Sequence, residues 1–272
     1  MGLLLALSPL LLAAAAPATA CDPIPGWDQM LAKDEVRFIV IGELHGTNEI
    51  PALFADAVCL TAQERQVVVA VEQPSIDQAA IDAFMASDGG EEARREFLDA
   101  RMWNMSMKDG RSSQAYFRLC ETLRQMRAAG RIVSVVAFQP STFTAPPTPA
   151  EYEKAMADLI RASGESGATV LALAGAAHAM RGNVPTPEPY PAMAAYLPAE
   201  ATITLNVKGE AGESWVCSGP NTCGVKSWPG TSNGHTEGVK LDSADPNYSG
   251  AIYLAKPLTA SPPQAVTVAQ GD

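Results

Sequence analysis

Two of the three histidines in this chain stand three residues after a glycine that ends an apolar run. The first run covers residues 36–41 and leads to Glu43 and His45, and the second covers residues 169–174 and leads to His178. Ligands and reacting groups gather at the carboxyl ends of parallel strands in an α/β sheet. The repeated pattern therefore predicts the position of an active site and the two imidazoles that would meet there.

Two further polar residues follow apolar runs in the same manner. Glu72 ends the run at 67–71, and Gln139 ends the run at 132–138. Two imidazoles and two carboxylates could bind a divalent metal such as Zn²⁺ or Mn²⁺. They could equally perform general acid–base catalysis without a metal, since histidine titrates near neutral pH and burial tunes a glutamate. The residues predicted as catalytic and as candidate metal ligands are Glu43, His45, Glu72 and His178.

Two residues are predicted to contact a substrate. Arg111 follows an Asp-Gly pair and could hold a carboxylate or phosphate, although a surface arginine beside a helix start is the commoner case. Gln139, at the end of the third strand, is the second. The methionine-rich stretch around Trp103 could line a ligand pocket, but methionines at helical spacing more often belong to the core.

The elements that must position these residues alternate between strands and helices. Continuous apolar runs suit parallel strands covered on both faces, so the pattern predicts an α/β fold with a mostly parallel central sheet flanked by helices. Residues 201–207 and 213–217 alternate in polarity and are interpreted as a C-terminal antiparallel edge hairpin. We expect one domain over 21–260, with its core over 36–207, and a disordered tail over 261–272.

Composition restricts the partners. The 272 residues carry a formal net charge of −11 at pH 7, and 47% of them are hydrophobic. This balance allows a sizeable core and argues against nucleic acid as a partner, because phosphate binding needs a basic surface. It argues equally against electrostatic attraction to anionic lipid. A small-molecule or peptide substrate remains.

The first twenty residues have the pattern of a secretory signal peptide. Residues 3–16 are apolar and uncharged, too short a stretch to span a membrane comfortably, and an Ala-x-Ala cleavage pattern at 18–20 follows. No Lys or Arg stands near Met1, which departs from the usual pattern. We expect residues 1–20 to be removed and the protein to be exported, as a periplasmic, cell-envelope or secreted protein.

Cleavage there would leave Cys21 as the first residue, the position that bacterial lipoproteins acylate. The preceding residues resemble a lipobox without its usual leucine, so membrane attachment through a lipidated Cys21 and a soluble exported form both stay open. Five cysteines are an odd number for an oxidising compartment. If Cys21 carries lipid, Cys217 would pair with Cys223 in a hairpin and Cys59 with Cys120, although the latter two could be buried thiols.

The motifs resemble those of a known superfamily. Val40 to His45, Val69 to Pro74 and Gly175 to His178 are similar to motifs of the superfamily that joins Tiki and TraB proteins, erythromycin-esterase-like enzymes and ChaN-like haem-binding uptake lipoproteins, with the ChaN-like branch closest. The resemblance covers residues 36–180. It implies the same four site residues, and it implies a metal-dependent protease, a metal-independent esterase or a haem binder.

Two departures from the superfamily pattern stand out. Gln139 occupies a strand end where an acidic residue would strengthen a metal site, and a proline-rich segment follows His178. No motif for haem ligation is found. The sequence thus predicts an exported protein in which a metal or a base, Glu43 or Glu72, activates water against an ester or amide. The alternatives are a haem-uptake lipoprotein without catalytic activity and an envelope protein whose site has decayed.

Overall fold

The computed structural model of the chain describes most of its residues, and the predicted signal peptide lies outside them. The described ranges are 21–33, 35–219, 222–232, 234–241 and 245–266.

Strands and helices alternate through the first two thirds of the chain, as the apolar runs predict. The strands, numbered in chain order, are β1 (Phe38–Glu43), β2 (Val67–Pro74), β3 (Ser134–Gln139), β4 (Thr169–Gly175), β5 (Asn183–Val184), β6 (Tyr190–Pro191), β7 (Thr202–Glu210), β8 (Gly212–Cys217), β9 (Cys223–Trp228), β10 (Gly238–Leu241) and β11 (Gly250–Pro257). The helices are α1 (Trp27–Leu31), α2 (Glu49–Thr61), α3 (Gln78–Ala86), α4 (Glu91–Leu98), α5 (Arg101–Asn104), α6 (Gln114–Ala128) and α7 (Pro149–Ser163). Short 3₁₀ turns lie at Ser75–Asp77, Gly110–Ser112, Met193–Tyr196 and Ala199–Ala201.

Within the described residues, one seven-stranded sheet forms the centre of the fold, in the order β10-β11-β7-β1-β4-β2-β3. Every pair in it is parallel except β10 with β11. Each residue of β1, β2 and β4 is buried, which explains why these strands are continuously apolar. The predicted fold class, a mostly parallel sheet flanked by helices with antiparallel strands towards the C-terminus, is confirmed.

Successive residues of the central strands face opposite sides of the sheet and belong to two separate cores. One side packs against the helices that precede β3, with Trp27, Phe54 and Tyr116 among its buried side chains. The other side packs against α7, through Met156 and Ile160. The strand ends at the carboxyl edge of the sheet, together with the loops that follow them, carry the site.

The predicted C-terminal hairpin exists, but it is made of other strands. β7 is not at the edge: it lies between β11 and β1 in the central sheet. β8 pairs with β9 in a separate antiparallel hairpin. Residues 218–250 are rich in Gly, Ser, Asn and Asp, a composition typical of loops, and it conceals both β9 and β10. Both short strands lie outside the parallel core, so neither needs an apolar run.

The disulfides confirm one predicted pair and correct the other. Cys217 and Cys223 are joined across the β8–β9 hairpin, as predicted. The predicted bond between Cys59 and Cys120 is wrong, because Cys59 pairs with Cys21. Cys120 is a buried free thiol on the core-facing side of α6. A sulfur in a disulfide cannot also carry a thioether-linked lipid, so the Cys21–Cys59 bond and lipidation of Cys21 exclude each other. Two disulfides fit an oxidising compartment.

Non-reducing peptide mapping tests this pairing. In protein produced in an oxidising compartment, we expect linked peptides for Cys21 with Cys59 and for Cys217 with Cys223. Cys120 should react with a thiol reagent only after unfolding, because burial raises the pKa of its thiol to about 12. A diacylglyceryl group on Cys21 together with an alkylatable Cys59 would contradict the pairing.

The end of the described chain is packed. Residues 261–266 fall in the segment that the sequence assigns to a disordered tail, yet Ser261 is fully buried and Gln264 donates its backbone N–H to Ser112 O. Residues 267–272 lie outside the described residues. In the described part of the chain, none of the helices combines the length and the apolar character that crossing a bilayer requires.

Candidate active site

The four predicted residues meet at the carboxyl edge of the sheet, around Glu72. This edge is built by the neighbouring strands β1, β4 and β2. Glu72 is 3% exposed, and its two oxygens face different histidines. His45 Nε2 lies 3.8 Å from one oxygen, and His178 Nε2 lies 3.8 Å from the other. The carboxylate therefore stands between two imidazole rings that point towards it through the same ring nitrogen.

The first imidazole is oriented by the glutamate two residues before it. His45 Nδ1 lies 2.9 Å from Glu43 Oε1, and the Glu43 side chain is 1% exposed. The chain turns directly after His45 because Gly46 adopts a left-handed conformation with φ of 78°. With Nδ1 bonded to a carboxylate, the tautomer that leaves Nε2 free to act towards a ligand is favoured.

The second imidazole is oriented by a glutamate that sequence reasoning missed. His178 Nδ1 lies 2.7 and 2.9 Å from the two oxygens of Glu153 on α7. Glu153 also accepts the backbone N–H of Met193 at 2.7 Å. The sequence does hold a signal, because Glu153 occupies a core-facing position of α7 at the spacing set by Met156 and Ile160. A charged residue on the apolar face of an amphipathic helix indicates a paired or functional group.

Glu72 is held in its ionised form by its neighbours. It accepts the backbone N–H of Gly175 at 2.7 Å and Arg111 Nη1 at 2.9 Å. Burial alone raises the pKa of its carboxyl, but the charges of His45, Arg111 and His178 more than compensate and lower it. A Cβ at residue 175 would lie 3.0 Å from His45 Nε2, so a larger residue there would press on this ring. Glu72 is thus a fixed negative charge and a poor base.

Arg111 belongs to the site and is not a surface residue. Its side chain is 14% exposed, and its guanidinium contacts Glu72 and Asp109, the latter at 2.7 Å from Nη2. Gln73 Nε2 donates to Arg111 O at 2.7 Å, which fixes the backbone of this loop. Because carboxylates of the protein occupy the guanidinium, its structural role is to hold Glu72. Binding of a substrate anion by Arg111 remains a prediction.

Gln139 lies at the end of β3 beside Tyr152 of α7. In the part of the chain that is described, its buried Oε1 lacks a hydrogen-bond partner. An acceptor left in this state costs free energy unless a ligand or water satisfies it. Its predicted contact with substrate is untested, but the geometry leaves an acceptor free for that purpose.

The two imidazoles differ in how firmly they hold a proton. Burial lowers the pKa of His45, but Glu43 and Glu72 outweigh burial and raise it to about 9. For His178, burial again lowers the pKa, Glu153 and Glu72 raise it above its usual value, and the charge of His45 opposes that rise. The neighbouring carboxylates thus favour the protonated form of both rings, and the charge of His45 works against protonation of His178.

The raised pKa of His45 makes stability depend on pH. A group whose pKa is higher in the folded than in the unfolded protein stabilises the fold when it is protonated. The contribution of His45 is therefore complete below its unfolded pKa of 6.5, and it is lost as the pH rises through about 9. Because 24% of the His45 side chain stays exposed, we expect the contribution to be roughly 2 kcal/mol. Urea titrations of wild type and His45→Gln at pH 6 and 10 measure it: the difference in unfolding free energy should shrink by this amount at pH 10. An unchanged difference would contradict it.

The donor set does not suit a divalent metal. Glu43 binds the Nδ1 side of His45, away from Glu72, and Arg111 already neutralises Glu72 with a positive charge. Within the described residues, no group of three or more His, Cys, Asp or Glu side chains is arranged to hold a metal ion. The arrangement of these side chains therefore gives no support to the predicted metal dependence.

The aromatic patch considered for haem belongs to the core. Trp103 is 1% exposed and packs edge-on against Phe97 and Phe117, with ring centroids 5.4 and 5.6 Å away. It therefore presents no open face to a macrocycle, which needs broad apolar contact.

Comparison with solved structures places this fold among known proteins. No family model and no curated protein matches the sequence. A succinoglycan biosynthesis protein is 10% identical with a TM-score of 0.60, covering 84% of this chain and 89% of its own. A protein from Bacillus cereus is 9% identical with a TM-score of 0.59, covering 88% and 94%. The erythromycin esterase EreC, in its open conformation, is 10% identical with a TM-score of 0.58, covering 79% and 81%.

These matches confirm the resemblance at the level of the fold. An erythromycin esterase is one of the proteins that the sequence motifs resemble, and it shares the architecture along most of both chains. At identities near one residue in ten, the likeness establishes the fold alone. The chemistry must be argued from the site.

Proposed function

We propose that this protein is a hydrolase that cleaves an ester or amide by acid–base catalysis with two carboxylate-oriented histidines. One observation carries the proposal: His45 and His178 each bond a buried glutamate through Nδ1 and direct Nε2 towards the same carboxylate. A buried acid or base with a perturbed pKa beside a matched partner is the arrangement that hydrolytic sites use. The fold shared with an erythromycin esterase supports the same class of reaction.

His178 is the base in this mechanism. Its neutral Nε2 takes the proton of the attacking water, while its Nδ1–H donates to Glu153 and keeps the ring in the required tautomer. The imidazolium that forms is stabilised by Glu153 and Glu72. The hydroxide adds to the carbonyl carbon and gives a tetrahedral intermediate.

His45 is the acid. With a pKa of about 9 it is protonated at neutral pH, and its Nε2–H donates to the leaving oxygen or nitrogen as the intermediate collapses. Proton transfer from His178 to His45 through solvent then restores the starting state. Glu43 and Glu72 hold the two rings, and Arg111 with the Gly175 amide holds Glu72. This assignment replaces the glutamate base expected from the sequence.

The site needs no metal in this proposal, and the buried ring of Trp103 offers no open face to haem. The protein is further proposed to act outside the cytoplasm, as the signal-peptide pattern of residues 1–20 and the two disulfides suggest. The substrate would be a small ester or a peptide. The acidic net charge of −11 gives no reason to expect a polyanion.

A panel of esters and peptides, assayed with and without EDTA, tests the proposal. We expect turnover of an ester that survives EDTA and falls by about two to four orders of magnitude in His178→Ala and in His45→Ala. A haemin titration of the same protein provides the contrasting result. A saturating Soret shift at fixed stoichiometry without turnover of any substrate would favour a binding protein, and turnover abolished by EDTA would favour a metal enzyme.

A further inference from the structure

We infer that Ser261 is a positioning residue, which sets the His45 loop against the Arg111 loop through the C-terminal segment 259–264. This inference rests on the proposed function for its effect on turnover, while the placement of His45 can be measured without a substrate. Sequence composition alone assigned Ser261 to a disordered tail, so nothing in its residue type indicates such a role.

The backbone N–H and the hydroxyl of Ser261 each bond a different segment near the site. The residue is fully buried. Its backbone N–H donates to Gly46 O at 2.8 Å, directly after His45. Its Oγ accepts the backbone N–H of Ala115 at 2.9 Å, in the first turn of α6. That helix begins directly after the 3₁₀ turn that contains Arg111. One hydroxyl and one amide thus join Gly46 to Ala115, which lie 69 residues apart in the chain.

Other residues of the segment 259–264 bond the starts of helices α2 and α6. Thr259 O accepts the backbone N–H of Asn48 at 2.9 Å, at the start of α2, and Pro262 O accepts that of Gln114 at 2.9 Å, at the start of α6. Gln264 N–H donates to Ser112 O at 2.8 Å. Amides in the first turn of a helix have no partner within the helix, so the segment satisfies groups that would otherwise be open.

The two loops also touch each other directly, so a shift of one displaces the other. A Cβ on Gly110 would lie 1.8 Å from Gly46 N, which means that backbone packs on backbone there. Gly46 O accepts a second N–H, from Trp215 of β8 at 2.8 Å, and Trp215 Nε1 donates to Lys108 O at 3.0 Å. Ser261 and Trp215 therefore both hold the two loops together. Loss of the Ser261 hydroxyl should displace the loops without unfolding the chain, because Trp215 keeps its bonds.

The test compares Ser261→Ala with Thr61→Ala. Thr61 is also fully buried, and its hydroxyl donates to Ala57 O and accepts from Trp27 Nε1, but it lies at the far end of α2. Two properties are measured. The first is the NMR signals of the imidazole rings, which are few because the chain has three histidines, and the second is kcat and KM for the best ester. Two shortened chains provide a second comparison. The chain that ends at Ala260 lacks residues 261–264 of the segment, and the chain that ends at Val266 keeps the whole segment.

Ser261→Ala keeps the backbone bond to Gly46 O but loses the bond from Ala115 N–H, so the Arg111 loop should shift against the His45 loop on which it packs. We therefore expect the ring signals of His45 to move while those of His178, held by Glu153 on α7, stay in place. We expect kcat to fall about tenfold with KM little changed, since a small misplacement of a catalytic group slows the chemical step. The chain ending at Ala260 should show the same changes more strongly, and the chain ending at Val266 should match wild type. Unmoved His45 signals in Ser261→Ala, or equal movement in Thr61→Ala, would overturn the inference even if no substrate is found.

Discussion

Replacing Glu72 with Gln should reduce the hydrolysis rate by about three orders of magnitude and lower stability by on the order of 3 kcal/mol. The amide keeps the shape but removes the charge that faces both Nε2 atoms, so the pKa values of His45 and His178 should fall. It also turns a donor towards Arg111 or the Gly175 N–H, which both require an acceptor. Steady-state kinetics and urea unfolding measure the two effects.

Glu188→Gln is the matched control, because it makes the same chemical change at an exposed position. It should leave both the rate and the unfolding free energy near wild type. If Glu72→Gln keeps more than a third of wild-type activity, the fixed charge is dispensable and the proposed arrangement of the site is wrong.

Replacing Glu153 with Gln should cost two to four orders of magnitude in kcat, although this residue touches no substrate in the mechanism. Its amide can donate to Nδ1 of His178, which would place the ring proton on Nε2 and remove the lone pair that accepts the proton of water. Loss of the carboxylate also lowers the pKa of His178, since the hydrogen bond to Glu153 raises it. Because the base works when neutral, the acidic limb of the pH–rate profile should move to lower pH.

α7 supplies its own control for this change. Glu151 is exposed and forms the capping box of the helix with Thr148, a role that glutamine can also perform. Glu151→Gln should therefore keep wild-type rate and pH profile. Equal rates for the two variants would show that Glu153 merely fills space.

The sequence was informative where burial forces a pattern. The four strands nearest the site are apolar runs, so their positions and the polar residues that follow them could be predicted. The convergence of His45, His178 and Glu72 follows from the rule that parallel strands end at one edge. Arg111 could be suspected from its loop, but its pairing with Glu72 depends on a contact between distant segments.

What could not be predicted depends on contacts that leave no local pattern. Glu153 is visible only as a charge on an apolar helix face, which becomes meaningful once His178 is placed opposite. Cys21 pairs with Cys59 because the entry segment lies beside α2, whereas the count of cysteines with Cys21 lipidated left Cys120 as the partner of Cys59. Ser261 satisfies amides of two other segments, so its environment is decided entirely by tertiary structure.

The order of strands has a consequence for when activity can arise. β1 and β2 do not pair with each other: both pair with β4, which is made later. Until β4 inserts, Glu43 and His45 stand apart from Glu72, and His178 and Glu153 are not in place. An incomplete or unfolded chain is therefore chemically inert. Under the proposed function, a chain that crosses a membrane unfolded would therefore become active only after it folds on the far side.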